Sequence, residues 1–176
     1  IDGRPMGSVL EADGDVAARA SVKATGPVES LTLLRGRRPV ATVRPPGFDD
    51  LSSSRRLRVR WEGARIRGRG RRVTWSGAIC VEGTKIEQAR TFAFDSAADG
   101  ITEQTSREVR FRSQTTGDAD GIDLCLDQAE RGRIALDSPV GRCQASLEEL
   151  VSERTWSFGG MDMRVTIQRY PGQVTE

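Results

Sequence analysis

Apolar and polar side chains alternate along most of this chain, and this two-residue period is the feature that most restricts its fold. In the stretch RLRVRW, Leu57, Val59 and Trp61 share one face of an extended chain, while arginines occupy the other face. The same period continues through VTWSGAICV, 73–81, and through MDMRVTI, 161–167. Such alternation is typical of antiparallel strands that have one buried face and one solvated face.

Short segments rich in Gly, Pro and Asp interrupt the alternating runs and predict turns. Counting from VAARASVKA, 16–24, strand candidates recur about every ten residues, which favours a sandwich or barrel over alternating strands and helices. We therefore predict an all-β fold, a mainly antiparallel β-sandwich of immunoglobulin-like or jelly-roll-like type with about 11–12 strands. At most one short helix is expected, at 146–154, where Ser146 and Glu149 have the spacing of a capping box.

The length of 176 residues suits one domain with a core of its own. We predict a linker or edge segment at 1–14 that follows a missing N-terminal domain, a single β-sandwich at 15–170 and a tail at 171–176. Pro, Gly and Ser crowd at 44–56, which would suit a boundary after a short β unit at 15–44. Because about 30 residues rarely sustain a core, we interpret 44–56 as a crossover loop within one sandwich.

The chain contains no histidine. This removes the commonest general base, the Ser-His and Cys-His nucleophile systems and the commonest transition-metal ligand. Paired carboxylates would remain as catalytic groups, but a sequence alone gives no distance between two carboxylates. We predict no catalytic residue, no cofactor and no metal ligand, so that the chain is not an enzyme by itself.

The three cysteines, Cys80, Cys125 and Cys143, lack the CxxC spacing of metal and redox sites. Cys80 and Cys125 lie within apolar runs, which predicts free thiols that are buried as small hydrophobic groups. Free thiols favour a reducing compartment, and we expect a cytoplasmic location. No stretch approaches the roughly 20 apolar residues of a membrane-spanning helix.

The stretch TTGDADGIDL, 115–124, brings Asp118, Asp120 and Asp123 close together in the sequence. An EF-hand loop would need a glutamate at its twelfth position, but counting from Asp118 that position is Ala129. A turn rich in Gly and Asp that leads into a strand accounts for the same residues. We favour the turn, and a calcium-dependent carbohydrate-binding module that uses the three aspartates stays an alternative.

Residues 55–72 hold nine arginines and one acid, Glu62, in a chain whose net charge is only +2. With Trp61 and Trp75 nearby, this run would suit a nucleic acid or another polyanion. The alternative is a twisted hairpin whose outer arginine face is solvated or is neutralised by the acidic segment 95–130. We favour the second interpretation, and a polyanion-binding or nucleic-acid-binding module stays an alternative.

Several phrases that span nearly the whole chain resemble one protein family: IDGRPMGSVLEADG, PVESLTLLRGRRPV, RVRWEGARIRGRGRRVTWSG, AFDSAADGITE, RFRSQTTGDADGIDLCLD and DMRVTIQR. They are similar to the C-terminal β-sandwich region of uncharacterised proteins whose N-terminal part is a metal-dependent phosphoesterase-like domain of the polymerase-and-histidinol-phosphatase type. The opening IDGRPMG is similar to the segment that follows that domain. None of the family's His-bearing metal motifs has a counterpart here, so the resemblance assigns no catalytic residue and no metal ligand.

The resemblance implies a non-catalytic C-terminal accessory domain of a metal-dependent hydrolase. We expect it to act in packing, stabilisation or self-association. The expected partner is the N-terminal catalytic domain of the same parent chain, or a second copy in a homodimer, and neither a membrane nor a nucleic acid. An apolar surface and exposed edge strands would be the physical mark of such a role.

Overall fold

The structure, a computed structural model, describes residues 9, 19–23, 28, 30–36, 38–43, 51, 54–150 and 153–170. The chain divides into two units, Ile1–Val43 and Arg44–Glu176. The division falls at the start of the Pro-rich segment 44–56. The assignment of one sandwich to 15–170 stays a prediction.

Strands account for all the regular structure among these residues. They are β1 Leu31–Arg35, β2 Arg38–Val43, β3 Arg56–Ala64, β4 Val73–Thr74, β5 Gly77–Glu82, β6 Ile86–Phe92, β7 Gly100–Gln104, β8 Glu108–Arg112, β9 Gln114–Thr115, β10 Ala119–Leu126, β11 Arg133–Ser138, β12 Gly141–Ser146, β13 Glu153–Ser157 and β14 Met161–Arg169. The count of fourteen exceeds the predicted 11–12, partly because β4 and β9 are only two residues long. Runs this short are too brief to show a period in the sequence.

In the first unit, β1 and β2 form an antiparallel hairpin. Thr32 and Thr42 lie opposite each other and their hydroxyl oxygens are 3.1 Å apart. The strand predicted at 16–24 is wrong for its described part, because residues 19–23 are exposed and form no strand. The rest of that prediction lies outside the described residues.

In the second unit, two five-stranded sheets face each other. The first sheet has the order β13-β14-β3-β10-β6, the second has the order β12-β11-β5-β8-β7, and all neighbouring strands are antiparallel. A short ladder between β4 and β9 lies beside them. The prediction of an all-β antiparallel sandwich is confirmed.

The inward phases of both sheets meet in one core. From the first sheet come Leu57, Val59, Trp61, Ile122, Leu124, Leu126, Val165 and Ile167, and from the second Ile79, Val81, Val109, Phe111, Ile134, Leu136, Cys143 and Ala145. These are the residues that alternate with polar ones in the sequence. Burying them removes apolar surface from water at about 25 cal/mol per Å², which drives the two sheets together.

The helix predicted at 146–154 is wrong for its described part. Ser146 is the last residue of β12, where it pairs with Arg133, and the chain then makes a turn. The backbone N–H of Leu147 donates to the Gly132 carbonyl at 2.9 Å. Leu147 and Leu150 are both buried, so this segment anchors a turn in the core instead of forming a helix.

The free thiols differ from expectation in their burial. Cys80 and Cys125 are half-buried, whereas Cys143 is 1% exposed. Cys80 and Cys125 occupy the phases of β5 and β10 that point away from the core. Burial raises the pKa of the Cys143 thiol to about 11.

The last of the inward-facing residues on β14 is charged. Arg169 is 4% exposed. Its guanidinium donates to four backbone carbonyls, at distances of 2.5–2.7 Å: those of Ser54, Ala129, Leu147 and Leu150. Burial lowers the pKa of this guanidinium. The four acceptors satisfy a cation that would otherwise be costly to bury.

Candidate functional site

Two buried indole groups start two hydrogen-bond chains between the sheets. The Nε1–H of Trp75 donates to Thr115 Oγ1 at 2.8 Å, and the Thr115 hydroxyl donates to the Gly63 carbonyl at 2.8 Å. The Nε1–H of Trp61 donates to Ser113 Oγ at 2.8 Å. The first chain therefore ends on a backbone acceptor, as a structural hydrogen-bond chain in a core normally does.

The second chain ends on a carboxylate. The Ser113 hydroxyl donates to Asp120 Oδ2 at 2.6 Å, and Asp120 is only 1% exposed. The other oxygen, Asp120 Oδ1, is buried and has no hydrogen-bond partner among the described residues. A buried carboxylate oxygen without a partner is costly, so this atom needs an explanation.

Burial raises the pKa of Asp120 to about 6 from its ordinary value of 3.8. The hydrogen bond from Ser113 opposes this shift, whereas the negative charges of Asp118, Asp95 and Asp99 add to it. The named charges around Asp120 are thus all negative. A carboxylate in such surroundings binds a proton, or another cation, more readily than an exposed one.

Three of these acids form a cluster. Asp95, Asp118 and Asp120 each offer a carboxylate oxygen, and these oxygens lie within 4.8 Å of one another. Asp95 follows Phe94, whose ring packs edge-on against Trp61 with centroids 6.1 Å apart. Asp118 lies in the bend between β9 and β10, and Asp120 lies on β10. The three oxygens are near enough to share one ion.

Asp118 also shapes the bend that carries it. Its Oδ1 accepts the backbone N–H of Thr116 at 2.5 Å. Its own carbonyl accepts the N–H of Gly63 at 3.2 Å. Gly63 has a φ of 107°, and a Cβ there would lie 2.6 Å from the carbonyl oxygen of Asp162. A glycine is therefore required where β3, β14 and this bend meet.

The third aspartate of the sequence cluster, Asp123, lies elsewhere. It accepts two hydrogen bonds from Arg58, Nε to Oδ1 at 2.7 Å and Nη2 to Oδ2 at 3.0 Å. The guanidinium of Arg58 lies 3.7 Å from the ring centroid of Phe92 and 5.0 Å from that of Tyr170. This group on the outer face of the first sheet is a satisfied ion pair with aromatic packing.

The structure thus replaces Asp123 by Asp95 in the aspartate cluster. Asp120 and Asp123 are three positions apart on β10, so the strand's alternation puts them on opposite faces. Asp120 shares the phase of the core residue Ile122, which was a signal in the sequence that it is buried. Nothing in the sequence brings Asp95 to Asp118, because the two lie in different loops.

The arginine run also differs from its prediction. The prediction of a twisted hairpin at 55–72 is wrong. In the structure β3 is a central strand between β14 and β10, and β4 pairs with β9. Residues 65–72 form a loop, in which Gly68 and Gly70 adopt positive φ values of 84° and 83°. On the outer face of β3, Arg60 forms an ion pair with Glu62, and Arg164 of the neighbouring strand β14 pairs with the same acid.

The loop at 65–72 carries the remaining arginines. Arg65, Arg67, Arg69, Arg71 and Arg72 are all exposed. None of these five forms an ion pair with another described residue. The loop borders a cleft of about 400 Å³, whose lining includes Arg67, Arg71 and Arg164. This surface is the part of the basic run that is left to meet an anion.

An apolar face on the β1–β2 hairpin is the other surface of note. The register puts Leu31 opposite Val43 and Leu33 opposite Ala41, with the threonine pair on the other side. These four residues are called the apolar face of the hairpin below. Leu33 is 50% exposed and Val43 is 66% exposed. Side chains of this kind are usually covered in a working protein when they occur together.

The fold and its sites define a two-sheet antiparallel β-sandwich protein. Comparisons with protein-family models, with curated proteins and with solved structures gave no match. Within the described part of the chain, no helix has the length and apolar character to cross a membrane.

Proposed function

We propose that this chain is a non-catalytic accessory domain that docks onto another folded part of its own protein. In this proposal the parent protein is a metal-dependent, phosphoesterase-like hydrolase, and the apolar face of the hairpin makes the contact. The exposure of Leu33 and Val43 on one side of β1 and β2 is the observation that carries it. The free state of all three cysteines supports a reducing, cytoplasmic setting.

The physics of a two-stranded hairpin supports a need for a partner. A hairpin of two strands is marginally stable in water by itself, and three or more strands or a second layer are needed for independent stability. The described residues of the first unit contain only these two strands. A partner that covers the apolar face would supply the missing layer.

The order of the chain supports the choice of partner. The hairpin lies within Ile1–Val43, ahead of the sandwich. The family resemblance puts the hydrolase domain on that same N-terminal side. The hairpin is therefore the described element that is closest in sequence to the proposed catalytic domain.

The test compares two neighbouring residues on opposite faces of β2. Val43→Lys puts a charge on the apolar face, whereas Thr42→Lys adds the same charge to the threonine face. Affinity for the separately produced upstream segment, and self-association measured by sedimentation, are followed for both variants. We expect Val43→Lys to weaken association at least about tenfold and Thr42→Lys to change it little.

Equal effects of the two substitutions would contradict the proposed contact, as would the lack of any association in both measurements. Turnover by the purified chain would contradict the non-catalytic role. A nitrophenyl phosphate monoester and diester, with manganese added, are suitable substrates for that assay.

A second candidate function is polyanion binding by the loop at 65–72. The five exposed arginines that have no ion pair among the described residues favour it. Affinity for a single-stranded oligonucleotide, measured at two salt concentrations, should fall steeply with salt. Arg67→Ala with Arg71→Ala should lower the salt slope by about two, and the exposed pair Arg112→Ala with Arg133→Ala is the control. No binding at low salt would exclude this function.

A further inference from the structure

We propose that Asp95, Asp118 and Asp120 bind one divalent cation, and that Ca²⁺ is the ion that fits. This site lies at the end of the sandwich where the loop after β6 meets the bend before β10. Its three acids belong neither to the hairpin nor to the arginine loop, although Thr116 and Gly117 of the same bend line the cleft beside that loop. The set of three ligands also differs from the sequence cluster of Asp118, Asp120 and Asp123.

One buried oxygen of Asp120 supports a bound cation. Asp120 is 1% exposed, its Oδ2 is occupied by Ser113, and its Oδ1 has no partner among the described residues. The bond from Trp61 to Ser113 orients that hydroxyl towards Asp120 and so holds the carboxylate in place. Oriented carboxylates with hydrogen-bonded support are a usual feature of metal sites. A cation held by the cluster would satisfy Asp120 Oδ1, to which no described residue donates a hydrogen bond.

The local charge balance also supports a bound cation. Three carboxylates whose oxygens lie within 4.8 Å repel one another, and Asp99 adds a further negative charge near Asp120. None of the three forms an ion pair with an arginine or lysine of the described residues. Elsewhere the chain does pair its half-buried acids, as Arg58 does for Asp123. A bound divalent cation would turn the repulsion into attraction.

The number of carboxylates favours calcium over magnesium. Even the widest triangle of oxygens that lie within 4.8 Å of one another has its centre about 2.8 Å from each corner, a few tenths of an ångström beyond the Ca–O distance. Mg²⁺ normally takes only one or two carboxylates and keeps several waters. Ca²⁺ needs six to eight oxygens in all, and the exposure of Asp95 leaves room for water to supply the rest.

The experiment uses the whole 176-residue chain, stripped of metal with EDTA. Calcium at 100 times its Kd should raise the Tm by about 5–10 °C, and magnesium should have a much weaker effect. Tb³⁺ is a second probe, because Trp61 is linked through Ser113 to Asp120 and should sensitise its emission. Calcium should then displace the Tb³⁺ signal.

Three variants make the test specific. Asp120→Asn keeps the shape of the side chain and should abolish the calcium shift, and Asp95→Asn should weaken binding about 10–100-fold. Asp123→Asn is the matched control, since Asp123 is on the same strand but on the opposite face, paired with Arg58. This control should keep the full calcium shift even if its Tm without calcium falls.

Two results would overturn the cation site. The first is an unchanged Tm at about 10 mM calcium, which is ten times the weakest Kd typical of calcium modules. The second is an equal calcium response in Asp120→Asn and in the native chain, which would mean that ions bind elsewhere. Either result would rule out a cation as the partner of Asp120 Oδ1.

Discussion

Two buried charged residues at opposite ends of the first sheet differ in how completely they are hydrogen-bonded. Arg169 lies opposite Leu57 at one end of β3, and Asp120 lies opposite Trp61 towards the other, about 13 Å along the strand. Both belong to inward phases, and each is less than 5% exposed. Arg169 has four backbone acceptors, whereas Asp120 has one donor and an oxygen for which the described part of the chain offers no partner.

The difference shows what a purely structural buried charge requires. Around Arg169 the backbone supplies acceptors from three separate segments, so the desolvated cation is compensated where it lies. Around Asp120 the named neighbouring charges repel it instead. The described residues satisfy the hydrogen bonds of Arg169 fully but those of Asp120 only in part. This difference suggests that Asp120 has a role beyond packing.

The largest loss of stability should come from removing Arg169, the buried charge whose hydrogen bonds are complete. Arg169→Ala leaves four carbonyls inside the protein without a donor, and we expect a loss of about 3–5 kcal/mol in the free energy of unfolding. Urea denaturation followed by tryptophan fluorescence measures it. Arg164→Ala on the same strand is the control, and its exposed ion pair should matter by less than about 1 kcal/mol. Similar losses for the two variants would show that the four hydrogen bonds of the Arg169 guanidinium do not stabilise the fold specially.

A smaller loss is expected from Ser113→Ala. This substitution leaves both the Trp61 indole N–H and Asp120 Oδ2 without partners, at a cost of about 2–3 kcal/mol. The same urea titration measures it, with the exposed strand residue Ser157→Ala as control, expected within about 0.5 kcal/mol. A Ser113 variant as stable as its control would mean that this chain of hydrogen bonds is not needed.

Asp120→Asn should have the opposite sign. Without metal at pH 7, the neutral amide avoids burying a charge among other carboxylates, and we expect a gain on the order of 2 kcal/mol. Urea titration in EDTA measures the gain. A loss of stability would show that the ionised carboxylate is satisfied in the protein by itself, and the comparison with Arg169 would then fail.

The pH dependence of the free energy of unfolding should show the same cost of burying the Asp120 charge, with a smaller effect. The folded pKa of Asp120 is about 6 and its ordinary value is 3.8, so the stability it contributes is present below about pH 4 and is lost as the pH rises through about 6. The advantage of Asp120→Asn should therefore grow over this window and then level off.

Asp127, which follows the end of β10, has its pKa shifted in the opposite direction. The Thr84 hydroxyl and then the Lys85 backbone N–H lower the pKa of Asp127. Its contribution is present above the ordinary pKa and is lost as the pH falls through the folded one. The Asp127→Asn difference should thus shrink on acidification, and parallel profiles for the two variants would contradict both assignments.

The sandwich could be predicted from the sequence because its signal is local. Leu57, Val59 and Trp61 alternate with arginines, and all three are 0% exposed. By the same alternation, Asp120 shares the inward face of β10 with Ile122, and Arg169 shares the inward face of β14 with Ile167. Their inward phase was therefore visible in the sequence, although charge argued against burial there.

The rest depended on contacts between distant segments. Asp95 joins Asp118 only because the loop after β6 and the bend before β10 meet at one end of the sandwich. The pairing of β4 with β9, rather than with β3, depends likewise on where the chain returns after the loop at 65–72. Neither a period nor a turn motif carries information of this kind.

The contacts of Arg169 bring the two described ends of the sandwich unit together. The guanidinium donates to the Ser54 carbonyl, the Ser54 hydroxyl donates to the Tyr170 carbonyl at 2.5 Å, and the Tyr170 N–H donates to the Arg56 carbonyl at 3.2 Å. The backbone of this unit is thus nearly a closed ring. Joining Tyr170 to Ser54 through a short linker and opening the ring at 65–72 should yield a circular permutant with the same two sheets.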